Sequence, residues 1–249
     1  MSQVIILGAT GSLGGYVLQQ ALASGHDVRV LVRTPSRLPT EVRDRVSIHT
    51  GDLHEGVPPD VLRGQDALIN CAGHVGEGQK FVDLVDRVVA SVESLPGAER
   101  PVCWFLAGVA ALDIDASQRR GVDFPKVQET YWPHRVNFER LTRSSLDWRL
   151  LCPGPMVHQP GLGVERLRIS LDCLPVELPA NTRALPDQQV LATFMTLMPQ
   201  MIVAYADAAA LMLANLDRGN AMARRRVGLA LPVGLEGNKP QWTSEPGIR

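Results

Sequence analysis

The sequence predicts an α/β fold built on a parallel sheet, and three observations carry this prediction. Short β-branched segments alternate with longer segments in which apolar residues recur at helical spacing. A glycine-rich turn joins the first strand to the first helix. The composition, with 45% hydrophobic and 20% charged residues over 249 positions, is ordinary for a globular chain able to bury a large core.

The elements follow in order along the chain. Strands are predicted at 4–7, 28–32, 46–49, 67–71, 102–106 and 148–151. Helices are predicted at 12–24, from Phe81 to Val92, at 131–144 and, late in the chain, at 207–217. Proline and glycine recur after Pro153, so we expect loops and short elements there and a tail from Gly237, ordered only by docking onto the body.

Charge excludes one class of partner. The 25 Lys and Arg residues nearly balance the 26 Asp and Glu residues, so no global basic field favours nucleic acid. The basic run at 224–226 is interpreted as a solvated helix end facing the helix dipole.

The cysteines indicate a reducing compartment. Cys71, Cys103, Cys152 and Cys173 form no C-x-x-C pair, and three of them lie in or beside apolar segments, so we expect buried thiols in a cytoplasmic protein. No metal-ligand spacing connects them with the six histidines. We expect no signal peptide and no membrane partner, because the first residues lack a signal pattern and no apolar run reaches about 20 residues.

The glycine-rich turn is the first functional motif. Gly8, Gly11 and Gly14 have G-x-x-G-x-x-G spacing between a buried strand and an amphipathic helix. Glycines there permit a tight turn, close approach of the backbone to a pyrophosphate, and close packing of helix on strand, while the helix N-terminus offers free amides. The motif therefore predicts a Rossmann-type, doubly wound sheet that binds a dinucleotide through Gly8, Thr10, Gly11, Ser12, Leu13 and Gly14. A glycine-rich turn without a ligand is the alternative.

The end of the second strand bears on which dinucleotide binds. Sites for NAD usually carry a carboxylate here, whereas an arginine suits the 2′-phosphate of NADP. Arg33 occupies this place and Arg37 follows one helical turn later. The sequence therefore favours NADP(H) over NAD(H), the alternative being two solvated surface arginines.

Several ordered motifs carry a family resemblance. The segments GATGSLGG, VLVR, GDL (51–53), NCAG (70–73) and CPGPM (152–156) resemble the atypical short-chain dehydrogenase/reductases, closest to their NmrA-like and NAD(P)H-binding reductase branch. The match spans residues 4 to about 155, and returns weakly at YADAAALML and RRRVGLALP, which look like the family's late helix and strand. It implies one domain over 1–249, with a cofactor core at 1–155 and a small substrate-side region at 156–249.

The resemblance also implies roles for individual residues. Asp52 and Leu53 border the adenine, and Cys71, Ala72 and Gly73 run beside the ribose. The nicotinamide lies against the segment that begins with Pro153 and Gly154.

Tyr131 and Arg135 fall where the family's reductases carry Y-x-x-x-K, which implies proton transfer by the phenol and a cation beside it and the cofactor. Arginine replaces the lysine, and the serine expected after the fifth strand is absent, since the chain reads Ala107-Gly108 there. Pro133 places Tyr131 at the very start of its helix. The alternative is an i,i+4 pair with a structural or cofactor-holding role only.

Two histidines are weaker candidates. His74 and His134 could each reach a substrate, but a lone histidine near a loop is usually solvated.

The resemblance implies an NADPH-dependent oxidoreductase that passes hydride to a small organic acceptor such as a quinone, a flavin or a conjugated carbonyl. The rivals are a non-catalytic NADP(H) sensor with a protein partner and, more remotely, an epimerase or dehydratase. A homodimer formed through the helices near 78–95 and 131–144 stays open.

Overall fold

The computed structural model describes residues 1–115, 117–179, 182 and 184–239. Its strands are β1 (Gln3–Leu7), β2 (Asp27–Val32), β3 (Ser47–Thr50), β4 (Ala67–Asn70), β5 (Val102–Leu106), β6 (Trp148–Cys152), β7 (Met156–Val157), β8 (Arg168–Leu171), β9 (Val203–Ala204) and β10 (Arg225–Ala230). Its α-helices are α1 (Ser12–Ala23), α2 (Thr40–Arg43), α3 (Pro59–Leu62), α4 (Gln79–Glu93), α5 (Pro125–Thr142), α6 (Asp187–Leu197) and α7 (Tyr205–Leu213).

Eight of the strands form one sheet in the order β3-β2-β1-β4-β5-β6-β10-β8. All neighbours are parallel except β10 and β8, which are antiparallel. The strand order reverses direction between β1 and β4, which is the switch point of a doubly wound fold. The predicted Rossmann-type α/β fold is confirmed. A small parallel pair, β7 with β9, lies outside this sheet.

Both faces of the sheet are covered, as the continuous apolar strands require. Ile5 and Leu7 of β1 belong to the core layer shared with α4 and α5, while Val4 and Ile6 belong to the layer shared with α1 and α7. The alternation follows from the two-residue period of a strand. Alternate residues of each strand therefore pack against opposite layers of helices, and the sheet lies between the two layers.

The region beyond residue 155 is more regular than its sequence indicated. β8 and β10 extend the main sheet, and α6 is an 11-residue helix whose Val190 and Phe194 are buried. The expectation of loops and short elements missed α6, which forms because its apolar residues pack against the core of the domain. Of the predicted tail, 237–239 is described, and there the Gly237 amide donates to the Pro199 carbonyl at 2.8 Å; the rest of the tail, 240–249, lies outside the described residues.

Helix α5 begins at Pro125, with that proline in its first turn, and continues through Pro133. The prediction that Tyr131 starts this helix was therefore wrong. Pro133 lacks an N–H, so the helix loses one intrahelical hydrogen bond at this position. The proline is buried, and packing of the 18-residue helix against α4 compensates for that lost bond.

The basic run also differs from its interpretation as a solvated helix end. Arg224 does donate to the Thr142 carbonyl at the end of α5, at 3.1 Å, but Arg226 lies buried in β10. Its guanidinium donates two 2.8 Å hydrogen bonds to the Asp113 carboxylate and lies 4.7 Å above the Phe138 ring. Burial opposes the charge, but these bonds to Asp113 outweigh it and raise the pKa of Arg226.

No helix within the described ranges is long and apolar enough to cross a lipid bilayer.

Replacement of Arg226 by methionine should lower the free energy of unfolding by about 3 kcal/mol, because the Asp113 carboxylate would lose its buried partner. Arg143→Met is the control, because Arg143 is mostly exposed and its ion pair with Glu139 is long, at 3.7 Å. This variant should lower the free energy of unfolding by less than about 1 kcal/mol. Urea denaturation measures both. Equal losses in the two variants would contradict the assignment of Arg226 as a buried structural cation.

Candidate cofactor and acceptor site

The turn after β1 meets the turn after β4 with no space between them. Gly8 has a φ of +76°, which few other residues adopt, and a β-carbon there would lie 2.7 Å from the Ala72 nitrogen and 2.8 Å from the Cys71 carbonyl carbon. Only glycine fits this position. Two predicted cofactor segments, the glycine turn and Cys71-Ala72, are therefore adjacent at the switch point.

The start of α1 packs just as closely on the same turn. A β-carbon on Gly14 would lie 2.7 Å from the Gly8 carbonyl carbon, and the Gly11 amide donates to the Gly8 oxygen at 2.9 Å. Leu13 points into the core. The third glycine of the motif thus brings the helix directly onto the strand.

The N-terminus of α1 presents unused donors. In the described structure the amides of Ser12, Leu13 and Gly14 donate no hydrogen bond, and Gly11 provides no side-chain cap. Thr10, Gly11 and Ser12 are exposed. Free amides at the positive end of a helix suit the pyrophosphate of a dinucleotide.

Arg33 and Arg37 lie beyond the end of β2, and both are exposed. Neither guanidinium makes a hydrogen bond or an ion pair with any described residue. Arg43, by contrast, donates to the carbonyls of Ser36 and Leu38 at 2.7 and 2.8 Å and so fixes the loop that carries Arg37. The loop is held while the two cations stay free for an anion.

The remaining predicted adenine and ribose residues have mixed surroundings. Asp52 accepts a 3.0 Å hydrogen bond from the His54 amide and caps a short turn, while the Leu53 side chain is buried in the core. The Asn70 side chain, which sequence reasoning missed, is buried and accepts from the Ala72 amide at 3.0 Å. Asn70 therefore holds the turn after β4 in shape; its position at the end of a buried strand was the available signal.

Gly73 completes that turn. Its φ is +92°, and a β-carbon there would collide with the Phe81 ring of α4. Desolvation raises the pKa of the neighbouring Cys71 thiol to about 12, which keeps the sulfur protonated and unreactive although the residue is only half-buried.

The ends of β5 and β6 are joined on the side predicted for the nicotinamide. The Val109 amide donates to the Pro153 carbonyl at 2.8 Å, and the Ala107 amide donates to the Leu151 carbonyl at the same distance. Gly154 packs on Met201, whose carbonyl carbon would lie 3.0 Å from a β-carbon at 154. Gly108 is thereby held at the carboxyl edge of the sheet.

The two residues predicted to be catalytic lie in the middle of α5. Tyr131 is 37% exposed and Arg135 is half-buried. Neither side chain forms a hydrogen bond within the part of the chain that the structure describes. The Tyr131 ring stacks instead on His134, with 5.9 Å between ring centroids.

The expectation that His134 is solvated was wrong, because the residue is buried. Its Nε2 would lie 3.2 Å from a β-carbon on Gly108, its ring meets the edge of Phe81, and its Nδ1 has no hydrogen-bond partner among described residues. Burial, with a smaller effect from His74, lowers the pKa of His134 to about 4, so the ring is neutral at pH 7. His74 itself is exposed, and its Nδ1 accepts from the Gly76 amide at 3.1 Å.

A separate cleft of about 610 Å³ lies at the opposite edge of the sheet, where β1 and β5 begin. It is lined by Ser2, Asp66, Arg100 and Arg218 among others. Ligands of open parallel sheets bind outside the carboxyl ends of the strands, so we place the functional site at the glycine turn.

Gly14→Ala should abolish NAD(P)H binding and destabilise the fold, because its methyl group would collide with the backbone of Gly8. Gly15→Ala is the matched control, since a β-carbon at this next helical position meets nothing closer than 3.9 Å. Gly15→Ala should raise stability by about 0.5–1 kcal/mol through helix propensity. Calorimetric titration measures NAD(P)H affinity and thermal unfolding measures stability. Equal behaviour of the two variants would argue against a dinucleotide-binding turn formed by Gly8, Gly11 and Gly14, here called the glycine cradle.

His134 should make the fold sensitive to acid. An unfolded histidine binds its proton near pH 6.5 and folded His134 only near pH 4, so lowering the pH favours the unfolded state. Between pH 7 and 5 this group should remove about 2 kcal/mol of unfolding free energy, and His134→Gln should lack that part of the slope. His54→Gln, at an exposed position, should retain it. Urea titrations over this range provide the measurement, and an unchanged slope in His134→Gln would contradict the buried neutral state.

Comparison with known proteins finds sequence relatives and several solved structures that share the fold of this chain. Over 162 residues it is 27% identical to YwnB of Bacillus subtilis (strain 168), an uncharacterized protein, which corresponds to 63% of this chain and 73% of that protein. A Streptococcus pneumoniae protein proposed to be an NADH-flavin reductase superposes with a TM-score of 0.68 at 19% identity, covering 93% of this chain and 100% of that one.

ChuY of Escherichia coli O157:H7, described as an anaerobillin reductase, superposes with a TM-score of 0.63 at 16% identity, covering 96% of this chain and 100% of its own. At these identities the solved structures show a shared fold. A family model described as NAD(P)H-binding matches residues 8–172, which is more than half of the chain. The chain therefore belongs to the NAD(P)H-binding family, in agreement with its resemblance to the atypical short-chain dehydrogenase/reductases.

Proposed function

We propose that this protein is an NADPH-dependent oxidoreductase that passes hydride to a small organic acceptor with a conjugated system, such as a quinone, a flavin or a conjugated carbonyl. The observation that carries the proposal is the glycine cradle, with its free α1 amides, at the edge of the sheet that also presents Tyr131 and His134. The hydride donor would be the bound nicotinamide.

The chain's own residues would divide the work of binding. Gly8 and Gly14 let the turn, the helix and the neighbouring loop pack together, and the free amides of Ser12 and Leu13 would donate to the pyrophosphate. The half-buried Arg135 supplies a permanent cation for the ribose hydroxyls, and it cannot itself release a proton. Tyr131, which is partly exposed on the same helix, would give a proton to the reduced acceptor.

The choice of NADPH rests on Arg33 and Arg37. Both are exposed cations without a partner in the described structure, on a loop fixed by Arg43. A guanidinium can hold a phosphate with two hydrogen bonds, so these side chains suit the 2′-phosphate that NADH lacks.

The choice of a conjugated acceptor has two supports. Ala107 and Gly108 provide no hydroxyl to hold a simple ketone, and hydride transfer to a quinone or flavin needs less acid–base assistance from the protein. In addition, the solved relatives described above include one proposed to act on flavin and one described as an anaerobillin reductase.

A non-catalytic NADP(H) sensor is the second candidate. The absence of a hydroxyl at 107–108 and the replacement of the lysine by Arg135 favour it, because binding a dinucleotide requires neither group. Tight NADPH binding without turnover of any acceptor would support the sensor.

The deciding experiment titrates the purified protein with NADPH and NADH, then measures NADPH oxidation at saturation with quinones, flavins and conjugated aldehydes. We expect preferential NADPH binding and turnover with at least one class. Tyr131→Phe should then lower turnover of the aldehyde about 100-fold and that of quinones much less, at unchanged NADPH affinity. Turnover of simple ketones in preference to quinones would contradict the proposed acceptor class.

Arg33→Gln should weaken NADPH binding about 10- to 100-fold and leave NADH binding unchanged, since a charged hydrogen bond to a phosphate contributes about 1.5–3 kcal/mol. Arg87→Gln is the charge-matched control, because Arg87 is an exposed cation on α4. Fluorescence titration of the unmodified protein and both variants with NADPH and with NADH, six protein–nucleotide pairs in all, measures the effect. An equal loss of NADH and NADPH affinity in Arg33→Gln would show that the arginine does not recognise the 2′-phosphate.

A further inference from the structure

We propose that His134 donates, from Nε2, the hydrogen bond to the acceptor oxygen that the missing hydroxyl after β5 would otherwise provide. The inference rests on the proposed function and concerns how the same site holds its acceptor. In this proposal the site keeps a hydrogen-bond donor for the acceptor oxygen, although the donor comes from α5 and not from the residues after β5.

The first support is the complementarity of His134 and Gly108. Gly108 has no side chain, and the space that a β-carbon would enter is closed by His134, whose Nε2 and Cδ2 would lie 3.2 and 3.5 Å away. A side chain at 108 and an imidazole at 134 therefore compete for one space. The absence of a side chain at Gly108 leaves room for the His134 ring.

The second support is that both partners are held in place. Gly108 lies between the Ala107 and Val109 amides, which are bonded to the Leu151 and Pro153 carbonyls at 2.8 Å each. The imidazole is fixed by the edge of Phe81, with centroids 6.0 Å apart, and by the Tyr131 ring at 5.9 Å. A polar group fixed at the carboxyl edge of a parallel sheet lies where such folds bind ligands.

The third support is the tautomer that these surroundings select. Nδ1 is buried with no partner among described residues, whereas Nε2 faces the half-exposed Gly108. A buried N–H without an acceptor is costlier and rarer than a buried acceptor without a donor. The proton of the neutral ring therefore sits on Nε2, which makes that atom a hydrogen-bond donor.

The chemistry of the step balances without a proton from the imidazole. The acceptor carbon gains a hydride from the reduced nicotinamide, and the π electron pair of its C=O bond moves onto oxygen. The oxygen takes a proton from Tyr131 or from water. Nε2–H stabilises the developing negative charge and keeps its proton, which is how a neutral imidazole polarises a carbonyl.

The test uses the full chain with NADPH and a conjugated aldehyde, and compares His134→Leu, His134→Gln and His134→Ala with Gly108→Ser/His134→Ala. His134→Leu keeps most of the volume but has no donor, and should lower kcat/KM about 100-fold with NADPH affinity unchanged within about twofold. His134→Gln retains an N–H donor, so its kcat/KM should be about tenfold higher than that of His134→Leu. The double variant places a hydroxyl in the space that the ring occupied, so its kcat/KM should be about tenfold higher than that of His134→Ala.

A second measurement does not depend on turnover. Long-range ¹H–¹⁵N correlation spectra of the unmodified protein should show His134 as the Nε2–H tautomer, unchanged between pH 8 and 5.5. The Nδ1–H tautomer or an imidazolium above pH 6 would overturn the inference, even if the protein is an active reductase.

The kinetic outcomes separate the two proposals. Wild-type rates in His134→Leu, with an active parent protein, would overturn the role of His134 alone. An unmodified protein that binds NADPH but reduces no acceptor would overturn the proposed function and this inference together. If His134→Leu does not fold, His134→Gln and the double variant decide the question.

Discussion

The turn after β1 and the turn after β4 meet without a gap, and the geometry of the candidate cofactor site follows from this contact. Gly8 touches the backbone of Ala72 and Cys71, and Gly14 touches Gly8 in turn. Two glycines therefore bring a strand, a helix and a neighbouring loop into one contact. This contact aims the free amides of α1 at the same edge of the sheet that β5 and β6 reach.

The second half of the proposed site lies on α5. One face of this helix presents Tyr131 at the rim and buries His134 beneath it, against Phe81 and Gly108. Arg140, two turns further on, donates to Glu93 of α4 at 2.7 Å and helps hold the two helices together. The position of the histidine thus depends on the packing of α4, α5 and the end of β5 at once.

The C-terminal region closes the sheet on the far side. β10 pairs with β6, and its Arg226 spans from the strand to Asp113 and Asp172 in two separate loops. The buried Asp207 at the start of α7 accepts hydrogen bonds from the amides of Leu162 and Gly163, at 3.0 Å each. Charged side chains thus hold three loops in place through ion pairs and hydrogen bonds, in addition to the apolar residues that flank them.

The parallel α/β architecture, the glycine turn and the first six strands could be predicted from the sequence, because period-2 and period-3.6 patterns and glycine spacing are local signals. The sequence did not determine the role of the 224–226 run, the start of α5, the existence of α6 or the burial of His134. Each of these depends on partners distant in sequence: Asp113 for Arg226, α4 for α5, the core for Val190 and Phe194, and Gly108 for His134. Tertiary structure decided them, because burial and pairing are properties of neighbours in space, and a pattern of residues along the chain does not record those neighbours.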